Sequence, residues 1–393
     1  MRNPDTSGER SREWPRHGGQ PGPLLTRFGL APDTPLLDAS ANLNPLGPPA
    51  WLAGWLAQRL QRRPLALAGY PDPEYREARE AIAAEEGVAP EQVLLTNGGA
   101  EAIFLAAALQ ARERPGSLAA IVQPTFAEYA RACAAHGLPI RSLSLAPPAF
   151  DLDVEAIAAG LGEARLLFLC RPNNPTGTLV PRADMERLLM LTAARGITLV
   201  VDEAFIDFVG GETEDGDEAL TPLLARFDHL VLLRSLTKRY TLPGLRLGYL
   251  LADAETVHRA AACQPAWSVN GLAAALVAPL LADGDFARRS RTWLALERPR
   301  LAAGLEALGL VVVPSRANFF LVRHPAGQEA TRRLLPALLR RGVLVRHTES
   351  FAGLDGGWLR LALRDAADND RLLAALAGAL TEAQEEGAGG GAS

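Results

Sequence analysis

Between about residues 90 and 250 the chain repeats one pattern, a short apolar run followed by a turn and an amphipathic stretch. The runs lie at Val93–Thr96, Ala119–Val122, Arg141–Leu145, Leu166–Cys170, Thr198–Val201, Leu230–Leu233 and Leu247–Leu251. The stretches between them with helical character include Ala100–Ala111, Ala127–His136, Val154–Gly160, Arg182–Arg195 and Leu220–Arg226. Runs too short for helices, and mostly apolar without alternation, read as strands covered on both faces. The expected fold class is therefore α/β, a mostly parallel seven-stranded sheet with helices on both faces.

After about residue 255 the pattern changes. Long helical periods cover Gly271–Ala282 and Phe286–Leu308, followed by strands at Leu310–Val313, Phe319–Val322, Val343–Arg346 and Trp358–Leu363. With helices at Gln328–Arg341 and Asp368–Leu380 these form a smaller α+β domain. The expected division is an N-terminal arm (1–35, flexible over 1–16), a large domain (36–255), a small domain (256–382) and a disordered Gly/Ala-rich tail (383–393). The start of the large domain, Leu36–Gly47, is expected to lend its strand to the small one. The acidic, Gly-rich insert 210–219 reads as an exposed loop.

Composition excludes several classes. Apolar residues make up 48% and charged residues 22% of the 393, as in ordinary globular proteins. A net charge of −5 leaves no electrostatic footprint for nucleic acid. Cys133, Cys170 and Cys263 form no C-x-x-C pair, which fits reduced thiols and no metal site. Runs of apolar residues stay below the ~18 that a membrane span needs. With no apolar signal core at the N-terminus, the expectation is a cytoplasmic protein.

The chemistry gathers at the ends of the strands. Lys238 follows the run ending at Leu233, with Ser235 three residues before it and Arg246 eight residues after it, beyond Pro243-Gly244. An amine at a strand exit beside a hydroxyl and a planar guanidinium suits pyridoxal phosphate. The amine would bond the cofactor's aldehyde while the other two hold its phosphate. Taken alone, Ser-x-x-Lys is common and more often marks a surface strand end. Asn97-Gly98-Gly99-Ala100-Glu101 joins a strand to a helix, where Gly99 and Ala100 can offer backbone N–H groups to the same phosphate, or merely make a turn. Asp202 ends another buried strand, at the sheet edge where α/β folds bind ligands. It is placed either to keep a pyridine nitrogen protonated or to cap a helix. Asn174, in Asn173-Asn174-Pro175-Thr176-Gly177, can donate to the cofactor's phenolic oxygen. Phe126 can stack on the ring or pack in the core. Tyr70, in a Pro-flanked loop, can reach the phosphate if that loop meets a neighbouring subunit.

In combination these motifs resemble the pyridoxal-phosphate enzymes that include aspartate and histidinol-phosphate aminotransferases, over roughly residues 17–380. The resemblance implies an aspartate-aminotransferase-like large domain and a homodimer with shared active sites. Within that class the chain is most similar to the L-threonine-O-3-phosphate decarboxylases of cobalamin biosynthesis. The likeness lies in His17-Gly-Gly19, Asp38-x-Ser-Ala-Asn42-x-Asn-Pro45, Asp202-Glu-Ala-Phe-Ile-Asp-Phe208, Leu233-Arg-Ser-Leu-Thr-Lys238 and Trp267-Ser-Val-Asn270. It implies decarboxylation of O-phospho-L-threonine to (R)-1-amino-2-propanol phosphate, with Lys238 and Asp202 catalytic. Substrate contacts are implied at His17, Gly18, Asn42, Asn174, Arg346 and Arg360. Phe205 stands where histidinol-phosphate aminotransferases usually carry a tyrosine, which favours the decarboxylase over that alternative. Ala39 in place of an aromatic, the longer 210–219 loop and the extended arm depart from the pattern without touching the cofactor set.

Overall fold

The computed structural model describes residues 14–15, 17–62, 68–209 and 218–389. Most of the expected flexible arm and acidic loop, and the last four residues, lie outside them. In chain order the elements begin with α1 (Pro21–Arg27), β1 (Leu37–Ala39), α2 (Leu52–Arg62), α3 (Arg76–Glu86), β2 (Val93–Thr96) and α4 (Gly99–Glu113). Next come β3 (Ala119–Gln123), α5 (Glu128–Ala135), β4 (Ile140–Ser144), α6 (Val154–Gly160), β5 (Leu166–Cys170) and α7 (Arg182–Ala193). Then follow β6 (Thr198–Asp202), β7 (Leu230–Arg234), α8 (Leu236–Arg239), β8 (Gly248–Leu251), α9 (Ala254–Ala261) and α10 (Gly271–Leu281). The chain continues through α11 (Gly284–Ala307), β9 (Val311–Val312), β10 (Phe319–Arg323), α12 (Gln328–Arg340), β11 (Val343–His347), β12 (Leu359–Ala362) and α13 (Ala366–Gly389).

Two compact units emerge. The larger comprises Leu46–Asn174 and Thr178–Thr292; the smaller comprises the chain up to Pro45, Pro175–Gly177 and the chain from Trp293. The larger unit holds a seven-stranded sheet in the order β2-β8-β7-β6-β5-β3-β4. Six strands run in one direction, and β8 alone runs against them, antiparallel to both β2 and β7. Alternate strand residues enter separate cores on the two faces: Leu167, Leu169, Leu199 and Val201 on one, Leu166, Phe168, Cys170 and Val200 on the other. That two-sided burial is why the strands read as unbroken apolar runs. Five strands in the order β1-β11-β12-β10-β9 form the smaller unit's sheet. There β1 lies parallel to β11, and the other pairs are antiparallel.

Two boundaries differ from expectation, and the arm carries a helix that was not foreseen. The units divide inside α11 rather than at 255. Residues Ala273, Leu276, Val277 and Leu280 of α10 are buried in the larger unit's core, and the Tyr75 hydroxyl bonds both the backbone N–H and carbonyl of Val269. The tail expected from 383 is helical as far as Gly389, because Ala383-Gln-Glu-Glu386 has strong helix propensity. The 1–35 arm contains α1, which buries Leu24 and Leu25.

Candidate active site

In the larger unit the carboxyl ends of β5, β6 and β7 deliver the polar residues. Asp202 closes β6 and is buried; its Oδ2 accepts from the Tyr129 hydroxyl at 2.7 Å and its Oδ1 from the Ala204 N–H at 3.0 Å. Burial raises its pKa, opposed by the Tyr129 bond, the Ala204 bond and the charge of Lys238. Burial drives the Tyr129 phenol well up, so it remains a neutral donor. Tyr129 stacks on Phe168 with ring centroids 5.3 Å apart, and half-buried Phe126 meets its edge at 6.0 Å. Buried Asn174 follows Asn173, whose amide donates to the Pro124 carbonyl at 3.0 Å and accepts from the Thr125 hydroxyl at 3.2 Å. Asn173 thus pins the loop after β5 to the loop after β3.

The phosphate-holding residues also come together. Gly98 has φ +79°, and a Cβ there would lie 2.5 Å from Arg246 Nη2; one on Gly99 would lie 4.0 Å from Ser235 Cβ. Ala100 occupies the first turn of α4. Arg246 itself has φ +57°, a costly conformation for a residue with a Cβ, and one that clusters at ligand clamps. Its Nη1 donates to the Pro243 carbonyl at 3.2 Å. A Cβ on Gly248 would lie 2.7 Å from Gly98 C and Gly99 N, so β8 can approach the turn this closely only as glycine. Lys238 lies half-buried on α8, which Ser235 precedes. This set fits pyridoxal phosphate: guanidinium, hydroxyl and helix-end amides for the phosphate, a buried carboxylate for the ring nitrogen, and an amine for the aldehyde. Tyr70 is 82% exposed in the single chain and stacks on Trp267 at 4.4 Å.

Beneath the strand ends lies an ionic network that the sequence reading missed. Arg171, wholly buried, pairs with Glu203 at 3.0 Å and with Glu218. Arg234 pairs with the other oxygen of Glu203 at 3.0 Å and bonds Thr221 at 2.9 Å, while Tyr249 donates to Glu86 at 2.6 Å. Arg171, Glu203 and Arg234 each adjoin a site strand's last residue or end it, so the network locks β5, β6 and β7 in register. The available signal was a charged residue closing each of three apolar runs.

In the smaller unit, Arg346 on β11 and Arg360 on β12 are directly opposite one another across an antiparallel pair, and both are buried. Arg346 Nη2 donates to Ser350 Oγ at 2.6 Å, and Arg360 Nη2 donates to the Ser40 carbonyl at 2.7 Å. Burial pushes Arg346 down to about 10. Burial, then the Arg346 charge, push Arg360 down to about 9, with Asp38 opposing. Like charges opposed across strands destabilise a sheet, so the pair is suited to an anion. Asn42 is buried, and its Oδ1 accepts no hydrogen bond from the described residues. A Cβ on Gly18 would lie 2.2 Å from the Ser40 carbonyl oxygen, which makes that contact a glycine contact; His17 is exposed.

Among the described residues no cluster of side chains could hold a metal ion, and no helix is long and apolar enough to cross a membrane. The three cysteines are free thiols.

Residues 46–376 match the model of the family described as aminotransferase class I and II. The chain is 39% identical to a threonine-phosphate decarboxylase of Salmonella typhimurium, over 93% of this chain and 96% of that one. It is 35% identical to a histidinol-phosphate aminotransferase of Roseiflexus castenholzii, over 89% and 91% of the two chains. The solved L-threonine-O-3-phosphate decarboxylase of Porphyromonas gingivalis superposes with a TM-score of 0.72 at 27% identity, covering 86% of this chain and 97% of the other. The chain therefore belongs to the class I and II aminotransferase family, and its cofactor is pyridoxal phosphate.

Proposed function

We propose that the protein decarboxylates O-phospho-L-threonine to (R)-1-amino-2-propanol phosphate and CO2, supplying the aminopropanol linker of cobalamin. The observation that carries this reading is the buried pair Arg346 and Arg360, placed opposite each other across β11 and β12. Two planar guanidinium forks suit a phosphate dianion, which each can bind through two hydrogen bonds. A relative named threonine-phosphate decarboxylase, and one named an adenosylcobalamin biosynthesis bifunctional protein at 29% identity, support the same assignment.

The residues divide the work. Bound pyridoxal phosphate would supply an electron sink for the pair left on Cα when a bond there breaks. Arg346 and Arg360 would hold the substrate phosphate, which leaves the carboxylate, rather than the Cα hydrogen, as the group to be lost. His17, Gly18, Asn42 and Asn174 complete the grip on the substrate. Asp202, whose carboxylate accepts from Tyr129 and from the Ala204 N–H, would hold the ring nitrogen protonated. Lys238 Nζ carries the proton that returns to Cα once CO2 has left. Gly99, Ala100, Ser235 and Arg246 would bind the cofactor's phosphate, Phe126 would stack on its ring, and Asn174 would donate to its phenolic oxygen. The protein acts as a homodimer, with Tyr70 of each subunit completing the phosphate site of the other.

Incubation with O-phospho-L-threonine and no keto acid tests the assignment. The decarboxylase releases CO2 over many turnovers. A histidinol-phosphate-type aminotransferase stops after one equivalent of pyridoxamine product, and that outcome would overturn the reading.

A further inference from the structure

Arg346 and His347 are consecutive residues at the end of β11, and consecutive strand side chains ordinarily point to opposite faces. Here Arg346 Nη1 and His347 Nε2 lie 2.6 Å apart. What brings them together is one backbone oxygen, the Pro15 carbonyl, 2.6 Å from Arg346 Nη1 and 2.9 Å from His347 Nε2. Trp14 fixes that carbonyl in place. Its indole packs on the His347 ring at 4.7 Å and on Phe28 at 6.2 Å, with the Arg27 guanidinium 4.5 Å over its face. These contacts border a cavity of about 150 Å³ lined by Leu335, Pro336 and Leu359 among others. The end of α1 and the end of β11 therefore hold Trp14 between them, and the adjoining Pro15 carbonyl meets Arg346 and His347.

We propose that Trp14 and Pro15 form a strap that sets the pose of the Arg346 guanidinium, which makes Trp14 a positioning residue for recognition of the substrate phosphate. This rests on the reading of Arg346 as a phosphate ligand. The strap acts from one side of Arg346 and Ser350 Oγ from another, 2.6 Å from Nη2. Burial and the charges of Arg346, Arg360 and Arg27 hold His347 down to about 3, so its neutral ring adds no competing cation beside the guanidinium. His17 and Gly18 follow Pro15 closely in the chain, so the strap also fixes where they begin.

Steady-state kinetics of Trp14→Ala, Trp14→Phe, Arg346→Gln and the double variant Trp14→Ala/Arg346→Gln, all as full-length holoenzymes, test the strap. Loss of the orientation of one charge-assisted hydrogen bond should raise the KM for O-phospho-L-threonine about tenfold in Trp14→Ala. The value of kcat should stay within about twofold, as expected when only substrate binding is affected. Cofactor absorbance should be unchanged, and Trp14→Phe should recover the KM. On the Arg346→Gln background Trp14→Ala should change nothing further, because the strap acts through Arg346. Additive effects in the double variant, or a normal KM in Trp14→Ala beside a raised one in Arg346→Gln, would overturn the strap alone. An unchanged KM in Arg346→Gln would overturn the phosphate reading, and the strap with it.

Discussion

At Arg360 stability and function pull in opposite directions. Its pKa, pushed down to about 9, marks a cation whose burial is unfavourable, so the folded chain holds its proton less tightly than the unfolded chain does. In linkage terms the unfolded state binds more protons between about pH 9 and its own higher pKa, so this group's contribution to stability rises with pH across that window and is least favourable below it. Arg360→Met should therefore melt no lower than the parent at pH 7 while raising the KM for O-phospho-L-threonine roughly 100-fold or more. Thermal melts and initial rates check both halves. Asp202 obeys the mirrored rule. Its raised pKa means that its ionised form costs stability above its folded pKa, and Asp202→Asn should leave the cofactor-free protein at least as stable. Its kcat should fall by about 10²–10³, the size of a lost preorganised electrostatic contact. Removing only the hydroxyl that steadies it, in Tyr129→Phe, should lower kcat about tenfold, one charge-assisted hydrogen bond's worth. Lys238 and Arg246 were legible in sequence because their chemistry is tied to local spacing. Tyr129 was not, because it meets Asp202 across 73 residues, and a tyrosine on a helix reads first as core.

The elements explain why so much of the fold was readable. All seven strands of the large sheet fall within one or two residues of the expected runs; in the six other than β4 both faces are buried and no alternation blurs the signal, while β4, at the sheet edge, is mostly exposed. The direction of β8 was hidden, since an antiparallel strand between two covered faces has the same apolar character as a parallel one. The helix α9 was also overlooked, although Asp253 caps it through the N–H groups of Glu255 and Thr256, a signal present in the sequence. Residues predicted as a helix at Leu220–Arg226 form a 3-10 turn, Thr221–Ala225, with Pro222 at its start. Because β8 rests directly on the Gly98–Gly99 turn, Gly248→Ala must push backbone from backbone. It should cost about 1–3 kcal/mol of stability, as overpacking does, and weaken cofactor binding together with it. Denaturant melts and titration of the cofactor-free protein with pyridoxal phosphate read the two effects.

For the whole molecule, the exposed pair Tyr70 and Trp267 is the feature that a single chain leaves unexplained. If Tyr70 serves the neighbouring subunit, mixing inactive Lys238→Ala subunits with impaired Tyr70→Ala subunits should regenerate intact sites in the hybrid dimer. Activity above that of either parent checks this; no gain would place Tyr70 outside the partner's site. The division into two units was partly visible as a change of pattern near 255, yet the boundary lies at 292, because α10 buries its apolar residues in the larger unit despite its sequence position. The opposed guanidinium groups of β11 and β12 have one more consequence. Loss of CO2 leaves the phosphate ester intact, so the amino alcohol departs by breaking the same contacts that admitted the amino acid. On the proposed reading, inorganic phosphate should therefore compete with O-phospho-L-threonine and with the product for the same guanidinium pair.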